Sequence, residues 1–261
     1  MESWLPKCGG EFMSKIEKII TLKEAGNPEI SVIIPTLNEE KYLEDTLLSI
    51  KWQNINVPYE IIVSDGKSKD RTVEIAKKYA DKIVICKRKG ISLGRNVGAL
   101  VAKGKYFVFV DADTLLLPNT LSEVYKEIRK RGVALISVPV MPKNFKASNF
   151  FFYFVFNIFS KISTFTKKPQ ISGIFMCVKA EYFRKIGGFN EELKILEDFD
   201  FSERIAKLGK VKIVESTMVL TSPRRIERWG KIKAPLRYVD IYLSYLLTGK
   251  DIGAKFYRPV R

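Results

Sequence analysis

The chain has 261 residues, 46% hydrophobic and 28% charged, which is enough to bury one substantial core or two modest ones and too apolar for a disordered segment. Lys and Arg exceed Asp and Glu by 45 − 29 = 16, favouring anionic partners: nucleotide phosphates, nucleic acid or an acidic membrane surface. Histidine is absent, so Ser-His and Cys-His mechanisms are excluded, and a general base must be a carboxylate, a lysine, a tyrosine or a perturbed cysteine.

Residues 1–27 hold no apolar run of signal-peptide length and read as a leader, in which Met13 would serve as well as Met1 for a start. From Ile30 onward, β-branched runs alternate with helical periodicity, the pattern of a mostly parallel sheet covered by helices. Strands are expected at Ile30–Ile34, Tyr59–Val63, Lys82–Ile85, Tyr106–Val110 and Val133–Val138, with helices over about 39–52, 70–80, 92–103 and 118–131. A less regular half follows. The expected division is a domain over 28–225, in two halves that meet at residues 140 and 141 and that the resemblance described below implies are nucleotide-binding and acceptor halves, then a basic, amphipathic tail over 226–261. Cys8, Cys86 and Cys177 are too few and too scattered for a zinc knuckle or a disulfide framework, which suits a reducing cytoplasm.

In open α/β sheets ligands bind beyond the carboxyl ends of the strands. Those ends are polar: Pro35-Thr36-Leu37-Asn38-Glu39 after the first, Ser64-Asp65-Gly66 after the second, Asp111-Ala112-Asp113 after the fourth. Asp111 and Asp113, two apart in extended chain, project to one face and can converge on a hard cation such as Mn²⁺ or Mg²⁺; an acidic turn is the plainer alternative. Asp65 reads either as an Asx-turn residue or as a partner for a base or ribose, and Asp70 as a helix cap. Arg95, behind Gly90 and Gly94, is either solvated or turned toward the same sheet edge.

Leu196-Glu197-Asp198-Phe199-Asp200-Phe201 opens a helix in which Asp198 shares a face with Phe201, Ile205 and Leu208. A carboxylate aligned with an apolar stripe is costly unless paired or used, so Asp198 is the candidate base, with first-turn capping as its alternative. No strand leads into a dinucleotide fingerprint or a P-loop. A sugar-phosphate nucleotidyltransferase would want a glycine-rich loop where Pro35-Thr36-Leu37-Asn38 stands, and the basic residues are spread too evenly for a nucleic-acid stripe.

Taken in order, Ile34-Pro35-Thr36-Leu37-Asn38-Glu39-Glu40, Val63-Ser64-Asp65-Gly66, Gly94-Arg95-Asn96-Val97-Gly98, Asp111-Ala112-Asp113, Ser172-Gly173, Ile186-Gly187-Gly188-Phe189 and Glu197-Asp198 resemble glycosyltransferase family 2. The resemblance runs from about Ile30 to Arg228 and implies a GT-A fold and inverting transfer from a nucleoside-diphosphate sugar, UDP- or GDP-linked. It places Pro35, Leu37, Glu39 and Asp65 at the base and ribose, Arg95 at the ribose or diphosphate, and Asp111, Ala112 and Asp113 at the metal-bound diphosphate. Asp198 becomes the general base, with Gly173 and Glu197 beside it on the acceptor side. Leu37 stands where the family often has an aromatic residue and Ser64 where it has a second acid, so the donor stays open.

Arg224, Arg225, Arg228 and Trp229 form a basic, aromatic cluster that reads as a loop closing over diphosphate and acceptor, or as a solvated turn; Arg225-Ile226-Glu227-Arg228-Trp229 faintly resembles the Q-x-x-R-W signature of processive synthases, with arginine for glutamine. Within the Phe-rich stretch Phe145–Phe165, the strongly apolar run Phe150–Phe159 is interrupted by Asn157 and reaches only about half the roughly 20 residues that a spanning helix needs. Like Leu236–Leu247, the stretch is read as core or as a contact with the cytoplasmic membrane surface, where a lipid-linked acceptor would be met; a glycan is the other acceptor class.

Overall fold

Runs of Val, Ile and Phe without polar interruption form strands that must be covered on both faces. In the computed structural model, which describes residues 14–230 apart from Phe145, together with Asp240 and Ser244, four such runs lie parallel in the order β4-β3-β2-β5. They are β2 (Ile30–Thr36), β3 (Tyr59–Asp65), β4 (Lys82–Cys86) and β5 (Tyr106–Val110). Helices α1 (Leu43–Lys51), α2 (Thr72–Tyr79), α3 (Ile91–Val101) and α4 (Thr120–Ile128) fall within a residue or so of the expected spans or well inside them. Side chains alternate across the sheet as the pleat requires: Val32, Ile34, Ile61 and Val63 enter one core, and Ile33, Ile62, Phe107 and Phe109 the other.

Beyond β5 the sheet continues through β9 (Phe175–Lys179), antiparallel to both β5 and β7 (Val133–Ser137), and ends in β10 (Lys210–Ile213), parallel to β7. At the other edge β1 (Ile16–Thr21) runs antiparallel to β4, giving an eight-stranded sheet. This corrects the expected leader: residues 16–21 are part of the domain. Their signal was hidden because an edge strand with only Ile16 buried keeps its charges in water.

A second, three-stranded sheet joins β6 (Thr114–Leu116), β11 (Val219–Thr221) and β8 (Val140–Pro142) in the order β6-β11-β8. Pairing of Thr114 with Thr221 ties the chain leaving Asp113 to the chain entering α8 (Arg224–Trp229). The expected boundary at residue 225 therefore cuts a helix. Helices α5 (Ala147–Ser163), α6 (Ala180–Lys185) and α7 (Glu197–Ala206) complete the described residues. Of the amphipathic stretch Leu236–Leu247, all but Asp240 and Ser244 lie outside them.

Helix α3 is pressed onto β2 and β3. A Cβ at Gly98 would stand 2.5 Å from Ile33 Cγ2 and 2.6 Å from Ser64 Oγ. Gly98→Ala is expected to cost about 1–3 kcal/mol through overpacking, read as a lower urea midpoint at unchanged slope.

Candidate active site

The carboxyl ends of β2, β3 and β5 open onto one edge. Two loops here contain the non-glycine residues Asn38 (φ 55) and Lys67 (φ 66), and Leu196 (φ 62) precedes α7; such backbone is held only where surroundings enforce it. Asn38 accepts from the Lys69 amide at 2.8 Å, and its own amide donates to Ser68 Oγ at 2.8 Å, lacing the two loops together.

Asp65 lies beneath this lacing, 1% exposed, and accepts from Thr36 Oγ1 (2.9 Å), the Ser68 amide (2.8 Å) and Ser68 Oγ (2.5 Å). The carboxylate closes an Asx turn and braces the loop. Pro35 and Leu37 are half-buried at the end of β2 and beside Gly66. Asp70 accepts from the Thr72 amide at 3.0 Å and the Glu40 amide at 3.1 Å, joining the start of α2 to the loop after β2.

Arg95 is not solvated. It is 1% exposed, because every residue of α3 from Ser92 to Ala99 is buried and the helix has no wet face to offer it. Its guanidinium donates to Asp111 Oδ1 (3.1 Å), Glu197 Oε1 (2.8 Å) and the Gly173 carbonyl (3.0 Å), and lies 5.0 Å from the Phe189 ring centroid. It holds together Asp111, Glu197 and Gly173 from three parts of the chain. Gly173 is glycine for a local reason: a Cβ there would run into Arg95 Nη2.

Asp111 remains partly accessible just past β5, and the Ala112 carbonyl accepts from Thr46 Oγ1 at 2.8 Å, fixing the turn between the two acids. Asp113 is 8% exposed; Arg224 Nε stands 3.1 Å from its Oδ2 and Thr221 Oγ1 3.4 Å from its Oδ1. Burial raises the pKa of Asp113, and Arg224 pulls it back. The same arginine clasps Glu39 through two bonds of 2.8 and 2.7 Å and lies 4.8 Å from the Tyr42 ring. Burial raises the pKa of Glu39 likewise, with Arg224 opposing.

Among the described residues no three His, Cys, Asp or Glu gather as a metal cage. The chain offers two hard carboxylates, each already facing a guanidinium and so able to accept positive charge. That donor set fits a cation completed by phosphate oxygens and water.

Asp198 sits in the first turn of α7, half-buried. Its Oδ2 accepts from the Gly173 amide at 2.7 Å and its Oδ1 from its neighbour's amide, Phe199 N, at 2.9 Å. Burial, then the adjacent Glu197 charge, pushes its pKa up to about 7, while the Gly173 amide and Arg95 draw it down. Below α7, Phe201 stacks on Phe189 with ring centroids 4.1 Å apart, so the helix carrying Asp198 rests on a packed aromatic layer. A carboxylate that is rigidly oriented, reachable and near neutrality in pKa can take a proton.

Arg225 is half-buried close enough to lower the pKa of Asp113, and Arg228 is exposed. The side chain of Trp229 lies outside the described residues. Sequence reasoning did not find Tyr42, or Lys143, whose half-buried ammonium has its pKa lowered by burial and raised by Asp113. Both act through tertiary contacts that no local pattern marks.

The sequence profile described as "Glycosyl transferase family 2" matches residues 31–187. An uncharacterized glycosyltransferase of Methanocaldococcus jannaschii is 30% identical over 82% of this chain and 78% of its own length. One from Haemophilus influenzae is 28% identical over 66% of this chain and 60% of its own. Among solved structures, a mannosyltransferase from Pyrobaculum calidifontis in complex with GDP-Man and Mn²⁺ superposes with TM-score 0.63 at 21% identity, over 82% of this chain and 62% of that one. Staphylococcus aureus TarS 1–349 in complex with UDP-GlcNAc gives 0.60 at 22% identity, over 74% and 58%. These likenesses establish the fold. With a mixed α/β sheet of that architecture and a profile match covering more than half its length, the chain belongs to glycosyl transferase family 2 and is a glycosyltransferase.

Proposed function

We propose that the chain moves a sugar from a UDP- or GDP-linked donor to a glycan or lipid-linked acceptor, hydroxyl or lipid phosphate, in a single displacement that inverts the anomeric carbon. It does so in the cytoplasm, at the surface of the membrane. The observation that carries this reading is Asp198: held by the Gly173 amide, with a pKa near neutrality, and joined through Glu197, Arg95 and Gly173 to Asp111. Asp198 takes the proton from an acceptor hydroxyl as that oxygen attacks. Asp111 and Asp113 hold Mn²⁺ or Mg²⁺, which when bound supplies Lewis-acid neutralisation of the charge developing on the leaving diphosphate.

Pro35 and Leu37 wall the nucleoside, on a loop that Asp65 keeps in shape. Arg224, turning off Glu39 and Asp113, offers its fork to the diphosphate with Arg225 beside it. Arg228 and Trp229 stand on the acceptor side. Solved relatives carrying UDP-GlcNAc or GDP-Man with Mn²⁺ support this donor class without choosing within it.

Calorimetry tests the donor half. UDP or GDP is expected to bind more tightly with Mn²⁺ present, and Asp113→Asn to remove that increment. If neither nucleotide shows a metal-dependent increment, the proposed donor site is wrong.

A further inference from the structure

Helix α5 is built inside out. Its protein-facing side carries Asn149, Tyr153, Ser160 and Ser163, with Asn157 half-buried, and three of these residues are tied to the rest of the fold by hydrogen bonds. Asn157 brackets Val140, accepting from its amide at 3.0 Å and donating to its carbonyl at 2.8 Å; Ser160 Oγ donates to the Gln170 carbonyl at 2.9 Å; the Gln170 amide donates to Ser163 Oγ at 2.8 Å. These bonds fix the helix phase. Phe150, Phe151, Phe154, Val155, Ile158 and Ile162 are consequently turned outward, Phe151 at 67% and Ile162 at 60% exposure, with Phe165 at 85% just past the helix. At 3.6 residues per turn these six positions fall within a sector of about 140°. An ordinary surface helix has the opposite polarity.

We propose, building on the reading of the chain as a transferase for a lipid-linked acceptor, that α5 is an in-plane anchor seating the protein on an anionic bilayer. No helix among the described residues is long and apolar enough to cross a membrane. An amphipathic helix with large aromatics on one face and lysines at its ends lies in the headgroup plane instead. Charge complementarity chooses the occupant. Lys167 and Lys168 lie exposed just beyond the helix, and Lys146 before it and Lys161 in its last turn are exposed but ion-paired with Glu227 and Glu215, on a chain of net charge +16. At the C-terminal end of α5 a groove of about 350 Å³ is lined by Phe159 and Ile162 together with Lys167 and Lys168, a setting for a lipid phosphate and its acyl chain. A second copy of the same face would bring these lysines toward one another.

The anchor is joined to the donor site. Lys146 donates to Glu227 at 2.8 Å and Asn144 to the same oxygen at 3.0 Å, and Glu227 is on α8, three residues past the Arg224 that holds Asp113. An acceptor whose reactive head stands above the headgroups would therefore reach the acceptor side from the N-terminal end of α5.

The full chain is mixed with vesicles of phosphatidylcholine, with or without phosphatidylglycerol, and floated on a gradient. It is expected to rise with the anionic vesicles and stay behind with the neutral ones. Phe151→Glu with Phe154→Glu, both at exposed positions, should cut flotation at least tenfold, while the melting curve and nucleotide binding stay unchanged. Lys167→Glu with Lys168→Glu should weaken it roughly tenfold. Wild-type protein that stays below the anionic vesicles overturns the anchor, as does a dimer in solution that the Phe pair converts to monomer. Nucleotide calorimetry separates the two ideas: vesicle binding without nucleotide binding leaves the anchor and removes the donor reading, and the converse removes the anchor alone.

Discussion

Asp198→Asn is expected to lower kcat for sugar transfer by about 10²–10⁴, the worth of a general base, with affinity for UDP or GDP unchanged. An amide still fills the space and can accept one of the two backbone N–H bonds that Asp198 receives, but takes no proton. Wild-type transfer should rise with pH through about 7, because the active form is the deprotonated one and burial holds the group near that value. The sign for stability is opposite. A carboxyl raised from 3.8 to about 7 favours the protonated folded state, so its contribution is fully present below the unfolded pKa and lost as pH rises through the folded one. The pH at which the base works is the pH at which it strains the fold. If Asp198→Asn keeps wild-type transfer, the base lies elsewhere; Glu197, tied to Arg95, would have to leave its partner to serve.

Arg95→Met should cost about 3–5 kcal/mol, because Asp111 and Glu197 would keep their charges at the buried end of a broken ion pair. For a domain of this size that is a fall of roughly 10 °C in melting temperature. Arg95→Lys is no repair: an ammonium lacks the planar fork that reaches both acids and the Gly173 carbonyl together. Metal-dependent nucleotide binding is expected to weaken in both variants, since Asp111 loses the partner that orients it. A melting curve within 2 °C of wild type for Arg95→Met, against the roughly 2–4 °C that each kcal/mol moves a domain of this size, would show that the hub does not bear on the fold.

The parallel half of the sheet was legible because its strands are apolar throughout and its helices keep their periodicity, and the strand ends pointed to Asp111 and Asp113. Helical phase set Asp198 with Phe201 and Ile205; these two are buried and Asp198 half-buried, while the neighbouring Glu197 is the acid that goes fully inside. Arg95 was not legible, since an arginine among Leu93, Val97 and Leu100 reads as the polar side of a helix; burial of Asn96, Gly98 and Ala99 as well leaves no such side. The antiparallel β9 was visible only as an apolar run around Cys177, because strand direction is decided by pairing partners far away in sequence. Cys86 and Cys177 are free and buried, as their spacing suggested, and burial pushes the Cys86 thiol up to about 12. The Phe-rich stretch left core and membrane contact open; the inward-facing Asn157 and Ser160 fix which residues of the helix are exposed, which periodicity of apolar residues could not do.

Arg224 straddles Glu39 and Asp113, so the acid that would meet a cation is compensated within the chain. On the proposed reading, a lone divalent ion must evict a guanidinium held at two carboxylates. A lone nucleotide can recruit Arg224 to its phosphates only by stripping Asp113 of its counter-charge. Each ligand removes the obstacle facing the other, and by thermodynamic linkage the factor by which the cation tightens the nucleotide equals the factor by which the nucleotide tightens the cation. A site closed in this way ignores stray metal ions and stray nucleotide separately, and opens to the pair.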